Sequence, residues 1–533
     1  MNKKFILLLA FALNTALLFS ASPQLVWHQV YGSPQDSQQV FVSAIDNYDN
    51  MFLAGAVYFS NSGSLIINRY DGVGVLMWNR LYSNNPPAGT VDKAVALFPD
   101  DQAGVTVIAA INTNAVLTHF LYYDGSGTLQ SDLAVGDTAA GNKTIPLTVI
   151  TDGVSYYMLG QLNNVSSVFK CDYSGHILWS APVNDNYNSQ AGNISFDPFG
   201  NIVAAVYDSI LPQVIIHRYN SNTGLELPGF NSHISSLPVN GNFIQMQVDP
   251  GSNVFMASTG TDSLGRTQLA VNKFDTSGNI LWSTLCTSGK GHTNMLNSFV
   301  MDHNGDILIS GPYTDNTDTL QYAGLYKVFN PTGGILWSFA DSEFLVNSAV
   351  TVVDQFDNVY LGDTKTPSTI SPNYSTFSFT RLTSDSGQVQ WNRSFDNSSD
   401  NFGLMVQVNN FGDLFFATNT PTDSNTSWFA GRIGNNAGDS LGTSVQTIAP
   451  TLSLNVFPNP FSSETNISFT SSQAEQLSLT IFDISGQLVQ QQQVQSVAGY
   501  NQLAVKAEFA PGLYLIQLEG KYDFAVQRVI IAP

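Results

Sequence analysis

KFDTSGNILW, residues Lys273 to Trp282, reads as a β-hairpin with its turn in the middle. An Asp opens the turn by accepting backbone N–H groups of its own loop, a Gly three residues later takes the left-handed conformation that closes it, and an apolar strand ending in Trp follows. The same spacing recurs along the chain. Asp71, Gly74 and Trp78 match it, as do Asp172, Gly175 and Trp179, and with changed first residues Asn330, Gly333 and Trp337, then Ser384, Gly387 and Trp391.

A second motif precedes each of these hairpins: an apolar strand, an Asp-x-x-(Gly/Asn/Asp) turn, and a second strand ending in small residues. Its copies begin at Asp46, near Asp100, near Thr151, and at Asp197, Asp249, Asp302, Asp354 and Asn409. A step of about 50 residues is the period of a four-stranded blade. The fifth copy predicts strands over Phe243–Val248, Asn253–Ser258, Gln268–Phe274 and Asn279–Leu285. Four antiparallel strands repeated in this way give an all-β chain, a β-propeller in which each blade is buried on both faces by its neighbours. Internal fourth strands are expected at Trp78, near Ser131, at Trp179, near Gly229, and at Trp282, Trp337 and Trp391, one fewer than the first-hairpin motifs. The missing one is supplied by Leu25–Tyr31, LVWHQVY, which looks like a fourth strand with no blade before it. The reading is an eight-bladed ring clasped by its N-terminal strand, with seven blades as the alternative if a copy lacking Trp is not a full blade.

The chain has 533 residues, 43% apolar and 12% aromatic, enough to fill several cores. Only 11% is charged and the net charge is −21, so the basic surface that nucleic acid or an anionic membrane requires is absent. Residues 1–22 have the parts of an export signal: Lys3 and Lys4, an apolar run from Phe5 to Leu18, and small residues Ser20 to Ser22. No later segment is apolar enough to span a bilayer as a helix. Cys171 and Cys286 sit at non-equivalent places in their repeats and are expected to be buried free thiols.

The repeats resemble secreted bacterial β-propeller repeats of the Lys-Tyr-Asp-x-x-Gly-Asn-x-x-Trp kind, over a propeller domain of residues 23–433. Residues 434–451 read as a Gly/Asn/Ser-rich linker. From Leu452 to Pro533 the pattern changes to LNVFPNPFSS, LTIFDISGQLV, AGYNQLAV and PGLYLIQL. This segment resembles the type A sorting domain of the type IX secretion system of Bacteroidota. The matching positions are Pro458, Asn459 and Pro460, then Asp483, Gly486, Gly499, Gly512 and Tyr514. Gln527 and Arg528 depart from the Lys the family commonly has before its last strand. About seven alternating strands in so short a segment suit a small immunoglobulin-like β-sandwich. The resemblance implies three partners, the type IX machinery, its sortase and a lipopolysaccharide anchor, with the propeller either held on the outer membrane exterior or released.

Motifs that carry chemistry elsewhere fail here on context. Gly438–Gly442, GDSLG, matches an esterase elbow but lies in the linker, and no His follows His303. Asp302–Asp306, DHNGD, alternates oxygen ligands like a calcium loop, yet its Gly falls at the fourth place and its twelfth place is Tyr313. Eight-bladed quinoprotein dehydrogenases also carry Trp-ending repeats, but they use adjacent cysteines, which this chain lacks; no cofactor or metal is expected. Five Asp-Ser/Thr-aliphatic triplets, among them Asp137–Ala139 and Asp262–Leu264, resemble the O-glycosylation sites of exported Bacteroidota proteins. In an up-and-down blade the short Asp turns share one side, and the longer loops, such as Thr364–Thr376, share the other. Variable loops on a rigid scaffold suit recognition. Tyr313, Tyr322 and Tyr374 are the aromatics expected to be exposed there, to stack on an extracellular glycan or protein ligand. The expected function is a binding module, with a secreted glycan hydrolase or lyase as the alternative.

Overall fold

The computed structural model describes residues 23–531 apart from 33–35, 60, 83–85, 140, 184–186, 209–212, 229–232, 235–244, 287–290, 294–295, 316–320, 342–344, 367–375, 397–400, 422–424, 435–453, 458, 460, 472, 484–487, 507–508, 511 and 520–523. The export signal, nearly all of the linker and Gly438–Gly442 therefore lie outside the described residues. The chain divides into two compact units, Met1–Asp439 and Ser440–Pro533.

Among the described residues the first unit holds eight antiparallel sheets, taken in chain order as the first to the eighth. The first is Ser37–Ile45, Met51–Phe59, Ser62–Tyr70 and Leu76–Leu81, paired in that order. The fifth is Gln245–Val248, Val254–Thr261, Thr267–Phe274 and Ile280–Cys286, each strand within a few residues of its predicted place. The second strand of the first sheet is buried continuously from Met51 to Val57, because a neighbouring sheet covers each face. Its outer strand, Leu76–Leu81, buries only Trp78.

Every hydrophobic cluster of this unit joins one sheet to the next. Phe52, Ile67 and Trp78 of the first sheet meet Leu97, Val107 and Leu121 of the second. The last seam closes the circle, with Phe415 and Trp428 of the eighth sheet packing on Val40, Met51 and Tyr70 of the first. Innermost strands follow the same order, and Phe402–Val408 of the eighth sheet contacts Ser37–Ile45 of the first. This is a β-propeller. The expected clasp is present: Gln24–Tyr31 pairs antiparallel with Thr426–Gly434 and completes the eighth sheet, with Gln24 opposite Gly434 and Tyr31 opposite Trp428.

One expectation is corrected. The turns assigned to Asn330 and Ser384 open one residue earlier, at Phe329 and Thr383, where Gly333 and Gly387 donate their N–H to those carbonyls. The hairpins are one residue longer than the Asp type, so counting back seven from Trp misses the opening residue. Among the described residues the fourth sheet's outer strand is His233–Ile234; Gly229, near which it was expected, lies outside them.

The second unit has two sheets, Leu454–Phe457, Glu464–Ser471 and Gly499–Lys506 in one, and Leu488–Gln495, Gln476–Asp483, Gly512–Glu519 and Phe524–Ile531 in the other. Both contribute to a single core, Ile467, Phe469 and Val505 from the first and Leu479, Ile516 and Val529 from the second.

Candidate functional site

The short-turn side of the propeller is built from one repeated hydrogen-bond unit. In the hairpin that decides the fold, Asp275 Oδ1 accepts the N–H of Ser277 and of Asn279, each at 2.8 Å, and Gly278 closes the turn at φ 82°. Hydrogen bonds from Asn279 and the turn amides hold the Asp275 carboxyl below its ordinary range. The half-buried Asp124, which accepts from Ser126, Thr128 and Gln130, is held down at about 2.

Four outer Trps reach across the seam and donate to the carbonyl of the residue after the next sheet's turn opener. Trp78 Nε1 donates to Gly125 at 3.2 Å, Trp179 to Ser221 at 2.9 Å, Trp282 to Asn330 at 2.8 Å and Trp337 to Ser384 at 2.9 Å. The turn Gly is what allows the indole to lie so close. A Cβ on Gly127 would stand 2.6 Å from Trp78, and one on Gly387 2.6 Å from Trp337. These glycines thus answer a close approach as well as a positive φ.

A cation, which the sequence reading did not single out, recurs beside these turns, buried in four sheets and half-buried in three. It lies two residues before the turn opener: Arg69, Lys170, Arg218, Lys273, Lys327, Arg381 and Arg432. Arg69 donates to the Gly125 carbonyl at 2.7 Å, beside Trp78, and Lys327 donates to the Ser384 carbonyl at 2.9 Å, beside Trp337. Arg218, Lys273 and Lys327 also pair with the Asp of their own sheet's first turn. Lys327 Nζ lies 2.7 Å from Asp302 and 3.6 Å from Asp306, and Arg218 pairs with Asp197. Burial alone pushes the Asp197 carboxyl up, and Arg218 with Asn201 more than reverses this, leaving it lowered. The signal was available, since seven of only 19 basic residues recur at one repeat position.

Asp302 and Asp306, the acidic residues of the calcium-like motif, are thereby engaged by Lys327 and by turn amides, Asp302 Oδ1 accepting from Asn304 and Asp306. Among the described residues no three His, Cys, Asp or Glu side chains are grouped to hold a metal ion. Cys171 and Cys286 are buried free thiols in different clusters, and burial pushes both up to about 12.

The seam after the second sheet lacks both the indole and the cation. Across the outer hairpin of the second sheet, where Arg69 faces Trp78 in the first and Lys170 faces Trp179 in the third, Tyr122 faces Ser131. A cleft of about 520 Å³ remains between the second and third sheets, lined by Phe98, Asp100, Phe120, Tyr122, Tyr156 and Tyr173 among others.

The aromatics expected on the loop side need correction. Tyr313 and Tyr322 are only 9% and 7% exposed. The strand Ile307–Asp315 extends past Tyr313, so the two face each other in register on adjacent strands with ring centroids 5.3 Å apart. Of the expected Thr364–Thr376 loop, the ends belong to the paired strands Val359–Thr366 and Thr376–Leu382, and 367–375, Tyr374 included, lie outside the described residues.

In the second unit Tyr514 is buried, donates its hydroxyl to the Ala510 carbonyl at 2.7 Å and packs on Phe509. Asp483 faces Tyr514 and Gly512 faces Ile531 across the sheet, and Gly499 has φ 95°. Asn459 is exposed; Pro458, Pro460 and Gly486 lie outside the described residues.

Residues 455–532 match the family described as the secretion system C-terminal sorting domain. No curated protein matches the chain. Among solved structures it is similar to a protein of unknown function from Dyadobacter fermentans DSM 18053, at 9% identity and TM-score 0.40, over 78% of this chain and 99% of that one. It is also similar to the Dos1 propeller, at 12% identity and TM-score 0.45 over 77% and 95%. A third is an oligogalacturonate lyase in complex with manganese, at 8% identity and TM-score 0.39 over 74% and 97%. No helix among the described residues is long and apolar enough to cross a membrane. The chain is a β-propeller protein with a C-terminal type IX secretion sorting domain, exported to the cell surface or beyond it.

Proposed function

We propose that the chain is an eight-bladed propeller that acts outside the cell as a binding module, presenting the longer loops as its recognition surface. Residues 1–22 direct it out of the cytoplasm, and 434–451 link the ring to an immunoglobulin-like sorting domain. That domain engages the secretion machinery and its sortase, which leaves the ring on lipopolysaccharide or free.

The observation that carries the binding reading is the engagement of the repeat's charged groups with one another. Asp197 with Arg218, Asp249 with Lys273 at 3.6 Å and Asp302 with Lys327 at 2.7 Å are structural pairs on the short-turn side. Asp197, held below its ordinary range by Arg218 and Asn201, is a poor proton donor at neutral pH. The loop side is left for recognition.

The test is an array of extracellular glycans and proteins probed with the secreted chain, followed by shortening of Thr364–Thr376. Binding to one class, lost on shortening while the melting temperature holds, supports the reading. Turnover of the bound glycan, or binding untouched by the shortened loop, overturns it.

A further inference from the structure

The seam between the second and third sheets lacks an indole and a cation together, and what they would meet is still in place. The carbonyl of Tyr173 follows the turn opener Asp172, the position at which Gly125, Ser221 and Ser384 accept from a Trp in other seams. Asp100 holds the first-turn position at which Asp197 and Asp302 bind a cation, and here its Oδ2 accepts the Tyr122 hydroxyl at 2.9 Å. Gly175 shows the same vacancy from the other side. A Cβ there would meet Leu133 at 3.3 Å, whereas the Gly of a complete latch meets indole.

Aromatic walls replace the missing ring. Tyr156 stands where Met51, Val254 and Leu414 stand in other sheets, and its ring packs 5.2 Å from Phe98, 5.3 Å from Phe120 and 5.0 Å from the half-exposed Tyr173. Tyr156 takes part of the space, and the cleft is what is left.

We propose that this cleft binds an arylalkylamine, a flat aromatic ring carrying a protonated amine. The ligand supplies from outside the indole and the positive charge that the repeat elsewhere supplies from Trp and Lys or Arg. Its ring lies among Phe98, Tyr156 and Tyr173, and its ammonium pairs with Asp100. Stacking on aromatic faces and a charge-assisted bond to a carboxylate are both favourable for such a ligand. The net charge of −21 works against an aromatic acid in the same place. This site is separate from the loop surface and stands whether or not that surface binds anything.

The experiment is calorimetric titration of the full secreted chain with tryptamine, indole and indole-3-acetate. Tryptamine is expected to bind saturably, about tenfold tighter than indole, and indole-3-acetate not at all. Asp100→Asn is expected to bring tryptamine down to the level of indole. The turn tolerates Asn, since Asn409 caps the equivalent turn of the eighth sheet by accepting from Phe411 and Asp413. Ser131→Trp is expected to refill the seam, abolish binding of both ligands and raise the melting temperature; if it lowers the melting temperature instead, the Asp100→Asn comparison decides. Absence of saturable tryptamine binding, equal binding of indole-3-acetate, or an unchanged tryptamine affinity in Asp100→Asn overturns the proposal.

Discussion

Trp27 Nε1 donates to the carbonyl of Gly72 at 3.2 Å, so the strand that enters the ring first is latched to the turn of the sheet that follows it. Arg432 of the eighth sheet donates to the same carbonyl at 2.9 Å and lies 2.9 Å from Asp49, which repeats at the closure the Trp-and-cation pairing of the internal seams. Trp27 is 5% exposed and stacks on Tyr70. Trp27→Ala is expected to destabilise the propeller by about 3–5 kcal/mol. Denaturant unfolding checks this, and a loss under about 1 kcal/mol would mean the clasp is dispensable.

Gly74 and Gly89 separate the two demands placed on turn glycines. Both have positive φ, 86° and 81°, but a Cβ on Gly74 would stand 2.5 Å from Trp27, while one on Gly89 meets nothing within 4 Å. Gly89→Ala is expected to cost about 1 kcal/mol for the left-handed backbone alone. Gly74→Ala should cost about 2 kcal/mol more, because the indole must move. Equal losses in thermal melts would remove the close approach from the account.

Lys327 is 3% exposed and holds Asp302 and the Ser384 carbonyl. Lys327→Met should destabilise by about 3–5 kcal/mol, since it leaves the Asp302 carboxylate buried without its cation. Adding Asp302→Asn should recover part of the loss. A double variant no more stable than the single one would show that the pair does not act as a unit.

Acid should weaken the ring in a defined window. The carboxyls of Asp124, Asp197 and Asp275 are all lowered on folding, so their stabilisation is fully present above the unfolded carboxylate value of about 4 and is lost as pH falls through the folded values. For Asp124 that extends to about 2. The melting temperature is expected to hold from about pH 7 to about 5 on the carboxylates' account and to fall between about 4 and 2. A fall concentrated between about pH 7 and 5 would point to other groups.

The repeat was legible because its turns are fixed by local chemistry. Asp275 and Gly278 carry the hairpin in four residues, and Trp282 marks the strand after it. The clasp was legible as an unpaired strand, Leu25–Tyr31. What the sequence concealed was contact across seams. Nothing near Gly74 announces an indole from Trp27, and Lys327 looks like any strand cation until Asp302 and Ser384 are brought to it from either side. Tyr313 was misplaced for the opposite reason. Strand ends carry no turn signal when the ladder runs on for several residues, and a tyrosine there reads as loop. Ser131 was noted only as a weak copy, because the value of a missing Trp depends on what the neighbouring sheet leaves around it.

The clasp also sets the order in which the molecule can be finished. Val40 donates its N–H to Asn419 Oδ1 at 2.7 Å across 379 residues of chain, and the partner of Gln24–Tyr31 is Thr426–Gly434. Internal sheets form from neighbouring segments, but the final one needs a strand from each end. Contacts of such long sequence separation form late and slowly. A chain halted partway through its passage is an open arc with two bare strand edges, each a template for pairing with another chain. The ring therefore cannot close until Thr426–Gly434 is available to pair with Gln24–Tyr31.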